Sequence, residues 1–328
     1  MKAYIVRRLL TLFPLVLAMS FVTFMFIQLA PGDYFATLRL NPQISEETVA
    51  RLEAQYHMDK PPIVQYGYWL KNIVVSARHL RLDLGYSISQ KQPVSTVIAS
   101  RLVNTLLLSI SAILITWLVA IPIGIYSAVH QYSWGDKFFS ALAFVGMSLP
   151  GFFLALLMLY YFGSELGILP IGGLKSPNYD QLSAMGKAGD MAAHLVIPTV
   201  VLAIGGLASL QRIMRGNMLE VLRMQYVTTA RAKGLPEKRV IYRHALRNAI
   251  NPMVTIFGFE LSSLLSGAAL LEIVCGYPGL GQVLLEAVRS QDIFLVMGSM
   301  LIGGVMLIVG NLVADVLLAI VDPQVSYQ

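Results

Sequence analysis

The sequence has little charge and almost no cysteine. Only 13% of its 328 residues are Asp, Glu, Lys or Arg, against roughly 25% in an average soluble domain. A soluble helix buries one stripe and keeps a polar face; the long apolar runs here keep none, which excludes one large soluble core. A single cysteine, Cys275, excludes an intrachain disulfide, and in an apolar run it reads as a small core residue. Catalytic signatures are missing as well. A P-loop needs G-x-x-x-x-G-K-[ST], so that backbone amides and a lysine cradle phosphates. The one Gly-Lys pair, Gly186-Lys187, is followed by Ala188, and Gln181 stands where the first glycine belongs. No H-E-x-x-H occurs, and His57, His79, His130, His194 and His244 are scattered. Gly146-Met147-Ser148-Leu149-Pro150 misses the G-x-S-x-G nucleophile elbow at its last residue. Pro150-Gly151 reads instead as a helix kink.

What is present is apolar length. The chain is 56% hydrophobic, its mean hydropathy is +0.66, and several runs reach the roughly 20 residues that cross a bilayer. Six spans are expected, at about 9–29, 102–129, 138–162, 195–210, 253–275 and 294–320, giving an all-α polytopic membrane protein. The fourth is short and holds Pro198, Gly205 and Gly206, breakers that membrane helices tolerate when neighbours satisfy the freed backbone. The first follows Lys2, Arg7 and Arg8. It is longer than the roughly 7–15 residues of a signal h-region, and no A-x-A site follows, so it reads as a retained helix. Positive-inside topology then puts both termini and loops 130–137 and 211–251 inside, with loops 30–101, 163–194 and 276–293 outside. The pI near 9.3 follows from that rule without nucleic acid.

The outer loop 30–101 is expected to be structured. Residues 46–53 read as a short amphipathic helix with Ser45 as N-cap. Thr48 stands where a full capping box places Glu or Gln, and Glu46 and Glu47 suit the positive end of the dipole. Tyr66, Tyr68 and Trp69 suit a membrane–water interface. No internal repeat or low-complexity tract is seen.

The charge is concentrated in one island. From Arg212 to Pro252 there are nine Lys or Arg against two Glu, while the remainder is nearly balanced, so this loop accounts for the net charge of +6. Met218 to Lys233 holds strong helix formers and no Gly or Pro. Gly234 is a natural C′ residue, Pro236 fits the first turn of a second helix, and that helix runs to about Ala249. Lys238, Arg239, Arg243 and Arg247 share a face by their spacing. Two readings remain open on the residues alone. One is an amphipathic pair lying on anionic lipid. The other is a fitting for another protein, which suits the small residues Thr228, Thr229, Ala230, Ala232 and Gly234 at the bend.

The run T-A-R-A-K-G-L followed by R-H-A-L-R-N-A-I-N-P resembles the EAA loop of ABC-transporter permeases. More narrowly, it is similar to the B-type subunit of the dipeptide/oligopeptide permease family. Leu29-Ala30-Pro31-Gly32-Asp33, Arg101-Leu102-x-Asn104-Thr105-Leu106, Pro150-Gly151-Phe152-Phe153, Tyr277-Pro278-Gly279-Leu280-Gly281 and Asp322-Pro323 match that family in order, over essentially the whole chain. The sequence departs from the broad pattern at Thr228 and Thr229, where a glutamate and an alanine are usual, and at Leu246-Arg247, where Leu-Pro is usual. No glutamate side chain is therefore available at that point of the loop.

The resemblance implies a type I importer permease fold. A helix would occupy 1–30, an extracytoplasmic region 31–99 and the permease domain 100–321, with the coupling loop at 212–252. It implies no catalysis and no cofactor on this chain; ATP and Mg would sit on two cytoplasmic ATPase subunits. The further partners would be a second permease subunit, an extracytoplasmic binding protein and the lipid of a bacterial inner membrane. Coupling would rest on Tyr226, Ala230, Gly234 and Leu235 at the docking surface, with Arg231, Arg239 and Arg243 for polar contacts. Asn104, Glu260, Ser263, Asn311 and Asp315 are candidates for the path, since acids within spans are expensive in lipid; interhelical hydrogen bonding is the competing role. The substrate would be di- or oligopeptides, with nickel complexes, glutathione or oligosaccharides as alternatives within the family. An ATP-independent channel or carrier is the alternative of another class.

Overall fold

The computed structural model describes residues 2–29, 34–40, 43, 45–78, 82–253, 256–257, 260 and 269–321, without side chains for 2–13, 34, 37 and 314–321. Its contacts divide the chain into two compact units: Met1–Thr105 with Pro278–Ile308, and Leu106–Tyr277 with Val309–Gln328. Among the described residues, three helices are long and apolar enough to cross a bilayer: Val94–Val129, Ala184–Leu222 and Ile293–Val313. A fourth span is counted if Trp134–Ser148 and Gly151–Glu165, bent by 99° at their junction, are taken together. Most of the expected fifth span lies outside the described residues.

The first unit begins with α1 (Lys2–Leu29), followed by α2 (Tyr34–Arg39), α3 (Glu46–Gln55) and α4 (Pro62–Arg78). The Ser45 hydroxyl caps α3, accepting the Thr48 N–H at 3.3 Å, as its position predicts. A two-residue antiparallel ladder, β1 (Tyr86–Ser87) and β2 (Gln92–Pro93), pairs Tyr86 with Pro93 and Ser87 with Gln92. Its core gathers Leu84, Val94, Val97 and Ile98 with Leu280, Val283 and Leu295. Tyr66 and Trp69, expected at an interface, are buried with Phe24 and Met297, and only Tyr68 is exposed. Their polar tips find internal partners, which removes the reason to reach for water. Trp69 Nε1 donates to the Leu84 carbonyl at 3.0 Å, and Tyr66 Oη lies 2.8 Å from Ser20 Oγ.

The second unit is built on α5 (Val94–Val129, from Leu106 on), α6 (Trp134–Ser148), α7 (Gly151–Met158, continued by a π turn Leu159–Glu165) and α8 (Ala184–Leu222). The bend between α6 and α7 has a local cause. Leu149, preceding a proline, is extended at φ −95°, ψ 131°. Pro150 lacks the N–H that would continue the ladder and becomes the N-cap of α7. Pro198 does not break α8, which runs 39 residues, so the span expected to be weakest lies in the longest helix among the described residues. Small residues set how closely α5 meets α8: a Cβ at Gly124 would lie 2.7 Å from Met214 Cβ. This is the close approach that small residues permit between membrane helices.

Candidate functional site

The basic island folds back on the helices that carry it. Helix α8 stops at Leu222, and Met224, extended at φ −69°, ψ 146°, starts α9 (Gln225–Ala232). The unbroken helix expected over 218–233 is therefore divided at Arg223–Met224. Local propensity gives no sign of this; packing imposes it. Val227 and Ala230 of α9 share one buried cluster with Leu210, Met214 and Met218 of α8 and with Ala120, Ile125 and Ala128 of α5. A straight continuation of α8 would have carried α9 away from that cluster. Burial of a valine such as Val227 contributes about 1.5–3 kcal/mol.

Helix α9 ends in a Schellman turn. The Gly234 N–H donates to the Arg231 carbonyl at 2.9 Å and the Leu235 N–H to the Ala230 carbonyl at 3.4 Å, with Gly234 at φ +76°. A Cβ built on Gly234 would meet nothing within 4 Å, so the position demands the left-handed conformation rather than space. Pro236 then serves as N-cap, and a second helical run follows. It comprises α10 (Glu237–Arg239), a π turn (Val240–Ala245) and α11 (Leu246–Ala249). Val240, Ile241, Ala245 and Ala249 join the same cluster, while Arg239, Arg243 and Arg247 stay exposed.

Two side-chain pairs brace the hairpin. Asn248 Nδ2 donates to Tyr226 Oη at 2.6 Å. Across the turn, Arg231 Nη2 donates to Glu237 Oε1 at 2.7 Å, and this hydrogen bond holds the Glu237 carboxyl below the ordinary carboxylate range. Thr228 and Thr229, where a glutamate and an alanine are usual, return their hydroxyls to the carbonyls of Met224 and Gln225 at 3.4 and 2.9 Å. From α8, Asn217 Nδ2 donates to the Ala249 carbonyl at 3.2 Å.

The expected coupling residues thus separate into two groups. Tyr226, Arg231, Gly234, Arg239 and Arg243 lie on the exposed face. Ala230, only 6% exposed, faces inward, and Leu235 packs half-buried on the same cluster. The small side chain of Ala230 serves the chain's own packing.

The expected path residues do not form one group. Asn104 Nδ2 donates to the Pro278 carbonyl at 2.8 Å, and its neighbour Thr105 accepts the Leu280 N–H at 2.8 Å. Together they pin the Tyr277-Pro278-Gly279-Leu280 turn. Glu260 Oε2 accepts from Trp117 Nε1 at 2.7 Å. Asn311 is half-buried on α14 (Ile293–Val321), the last helix; α12 (Ala269–Val274) and α13 (Leu280–Arg289) precede it. Ser263 and the side chain of Asp315 lie outside the described residues.

Sequence reasoning missed two buried aspartates. Asp136, 3% exposed, takes Arg215 Nε at 2.9 Å and Nη2 at 2.8 Å in a bidentate pair, and also the Tyr132 N–H at 2.9 Å. Asp292, 1% exposed, accepts the hydroxyls of Ser87 and Ser89 at 2.7 and 2.8 Å, the Ser89 N–H at 3.0 Å and the Leu295 N–H at 3.2 Å. The one visible signal was Ser133-x-x-Asp136, a cap pattern in which Ser133 Oγ accepts the Asp136 N–H.

Residues 120–327 match the family model of the binding-protein-dependent transport system inner membrane component, and residues 1–109 match the N-terminal model of such membrane components. The chain belongs to this family. The permease component is 38% identical over 328 residues to the oligopeptide transport system permease protein AppB of Bacillus subtilis, covering 100% of both chains. It is 35% identical over 340 residues to the dipeptide transport system permease protein DppB of Alkalihalophilus pseudofirmus, again with 100% of each covered. In fold it is similar to a chain of the MetNI methionine ABC transporter in an inward-facing conformation. That match has a TM-score of 0.53 at 17% identity, over 69% of this chain and 96% of that one. The permease component is an all-α polytopic inner-membrane protein and a non-catalytic subunit of an ABC transporter, with ATP hydrolysis on separate ATPase subunits.

Proposed function

We propose that this permease component forms half of the path of an ATP-driven importer of di- or oligopeptides. The other half is a second, homologous permease subunit. Two ATPase subunits, carrying ATP and Mg, dock on residues 225–249 from the cytoplasm, and an extracytoplasmic binding protein delivers the peptide. Both termini then lie inside. The full-length similarity to oligopeptide and dipeptide permeases supports the substrate class.

The observation that carries the coupling reading is the two-faced hairpin around Gly234. Its inner face is fused to α5 and α8 through Val227, Ala230, Val240, Ile241 and Ala245. Its outer face presents Tyr226, Thr228, Arg231, Gly234, Arg239 and Arg243. A displacement applied to the outer face has no soft layer to dissipate in, so it reaches two long helices directly. The backbone shape at Gly234, not an acidic side chain, makes the contact, because Thr228 and Thr229 are turned back on their own helix.

The test compares Gly234→Val with Gly234→Asn. A β-branched residue disfavours the left-handed conformation that asparagine tolerates. Gly234→Val should abolish peptide uptake and peptide-stimulated ATP hydrolysis while the complex still assembles in the membrane. Gly234→Asn should retain part of both. Full uptake by the valine variant would end the coupling proposal, and co-purification of the chain without any ATPase would end the functional one.

A further inference from the structure

A cavity of about 260 Å³ opens between α6 and α8, lined on its apolar side by Phe144, Met147 and Ala208 and on its polar side by Gln211, Arg212 and Arg215. We propose that this cavity is a binding site for an anionic phospholipid, with the phosphate on Arg212 and Gln211 and an acyl chain along Phe144 and Met147. Three observations point to such a ligand.

The first is an unanswered donor. Gln211 is 3% exposed, and its Nε2 has no hydrogen-bond partner among the described residues. A buried amide N–H in that state calls for an acceptor, and the cavity it lines is where one would enter.

The second is the charge. Arg215 is already engaged by Asp136 through Nε and Nη2. That pairing fixes its guanidinium and cancels its charge. Arg212, three residues earlier on α8, is exposed and forms no ion pair among the described residues. The polar end of the cavity therefore holds one uncompensated cation, a fixed second guanidinium and a free amide donor. This set suits a phosphate, which accepts several charge-assisted hydrogen bonds at once.

The third is depth. The first turn of α6 and the residues just before it carry markers of a membrane–water interface: Tyr132 and Trp134 are highly exposed, and Lys137 Nζ sits 5.6 Å from the Trp134 ring centroid. Phe144 and Met147 lie ten and thirteen residues beyond Trp134 on the same helix, about 15–20 Å deeper at the α-helical rise. Both are exposed. Along α8, Arg215 meets Asp136 near the start of α6, and Gln211 and Ala208 follow one and two turns further in. The polar donors thus stand at headgroup level and the apolar wall at acyl level, the order in which an amphiphile presents its own parts. Basic sites between membrane helices take anionic headgroups by this arrangement.

The test is native mass spectrometry of the purified, assembled transporter titrated with phosphatidylglycerol, with phosphatidylcholine and with inorganic phosphate. Phosphatidylglycerol should be retained about tenfold more strongly than phosphatidylcholine. Arg212→Gln, at an exposed position that leaves the fold intact, should erase that preference, as expected for loss of a charge-assisted hydrogen bond. Gln211→Leu should weaken retention as well. Equal retention of the two lipids would overturn the proposal, as would a preference that survives in Arg212→Gln. Displacement of the lipid by millimolar inorganic phosphate would reassign the cavity to a free anion. Exclusion of all lipid in the assembled transporter, with binding only to the isolated chain, would reassign it to the contact with another subunit.

Discussion

Asp136 and Asp292 are solutions to the same problem reached with different chemistry. Each is almost fully buried and each stands at the start of a helix, Asp136 in the first turn of α6 and Asp292 just before α14, with a positive-φ residue close upstream: Tyr132 at +63°, four positions before Asp136, and Gln291 at +53°, next to Asp292. Asp136 is answered by a guanidinium from α8, 79 positions away. Asp292 is answered by two serine hydroxyls and two backbone N–H groups, without a cation in that set. The contrast teaches what each joint risks. Loss of one member of a buried ion pair leaves an uncompensated charge behind. Loss of an acceptor surrounded by neutral donors leaves hydroxyls that rotate and find other partners.

The largest expected effect follows from that difference. Asp136→Ala should destabilise the detergent-solubilised protein by about 3 kcal/mol in thermal unfolding, the low end of the range for orphaning one partner of a buried pair, because the Arg215 side chain left behind is 24% exposed. Adding Arg215→Met should recover most of the loss; a double variant no better than Asp136→Ala would show that the acid acts as a cap rather than as a counter-ion. Asp292→Ala should cost less, about 1–3 kcal/mol, the loss of a helix cap plus a few neutral hydrogen bonds. No single partner replacement should rescue it. The third test has the opposite sign. Tyr132→Gly and Gln291→Gly relieve left-handed strain of about 1–2 kcal/mol, partly offset by the entropy of glycine in the unfolded chain. Each should stabilise by up to about 1 kcal/mol.

The smallest effect belongs to an exposed pair that calibrates the scale. Arg231 and Glu237 are 41% and 53% exposed, and solvent-screened pairs of this kind contribute about 0.2–1 kcal/mol. Glu237 is held below its ordinary range, so its contribution is present above the ordinary carboxylate range and is lost as pH falls through the lowered value. Glu237→Gln should therefore cost about 0.2–1 kcal/mol at neutral pH, change nothing below the lowered carboxyl value, and so flatten a shallow acid-side slope in a stability–pH profile.

Features with a cause within four or five residues were legible in the sequence. The Ser45 cap, the Gly234 turn and the bend at Pro150-Gly151 each follow from one residue acting on its local backbone: a hydroxyl that accepts, a missing Cβ and a missing N–H. Features whose cause lies across the fold were not. The Asp136–Arg215 pair joins residues that no spacing rule connects, and Ser87 lies 205 positions from Asp292. The break at Arg223–Met224 has no glycine or proline to announce it, and it exists because Val227 and Ala230 must reach a core built mostly from other helices. Ala230 was read as docking surface for the same reason. Smallness is visible in a sequence, whereas the direction a small residue faces is decided by tertiary packing. The fold class and the family were fully legible, because apolar run length and ordered motifs survive without knowledge of contacts.

The π turn at Val240–Ala245 has a consequence for how this hairpin tolerates change in length. A π turn houses one more residue than an α turn, so the run from Glu237 to Ala249 carries a surplus position. Deleting one residue there closes the π turn to a continuous α-helix and leaves Arg247, Asn248 and Ala249 close to their present bearings. Inserting a residue has no such slack to use and re-phases everything downstream by about 100°. The hairpin therefore has play in one direction: it can shorten by one residue without turning, and it cannot lengthen without swinging Ala249 away from the core.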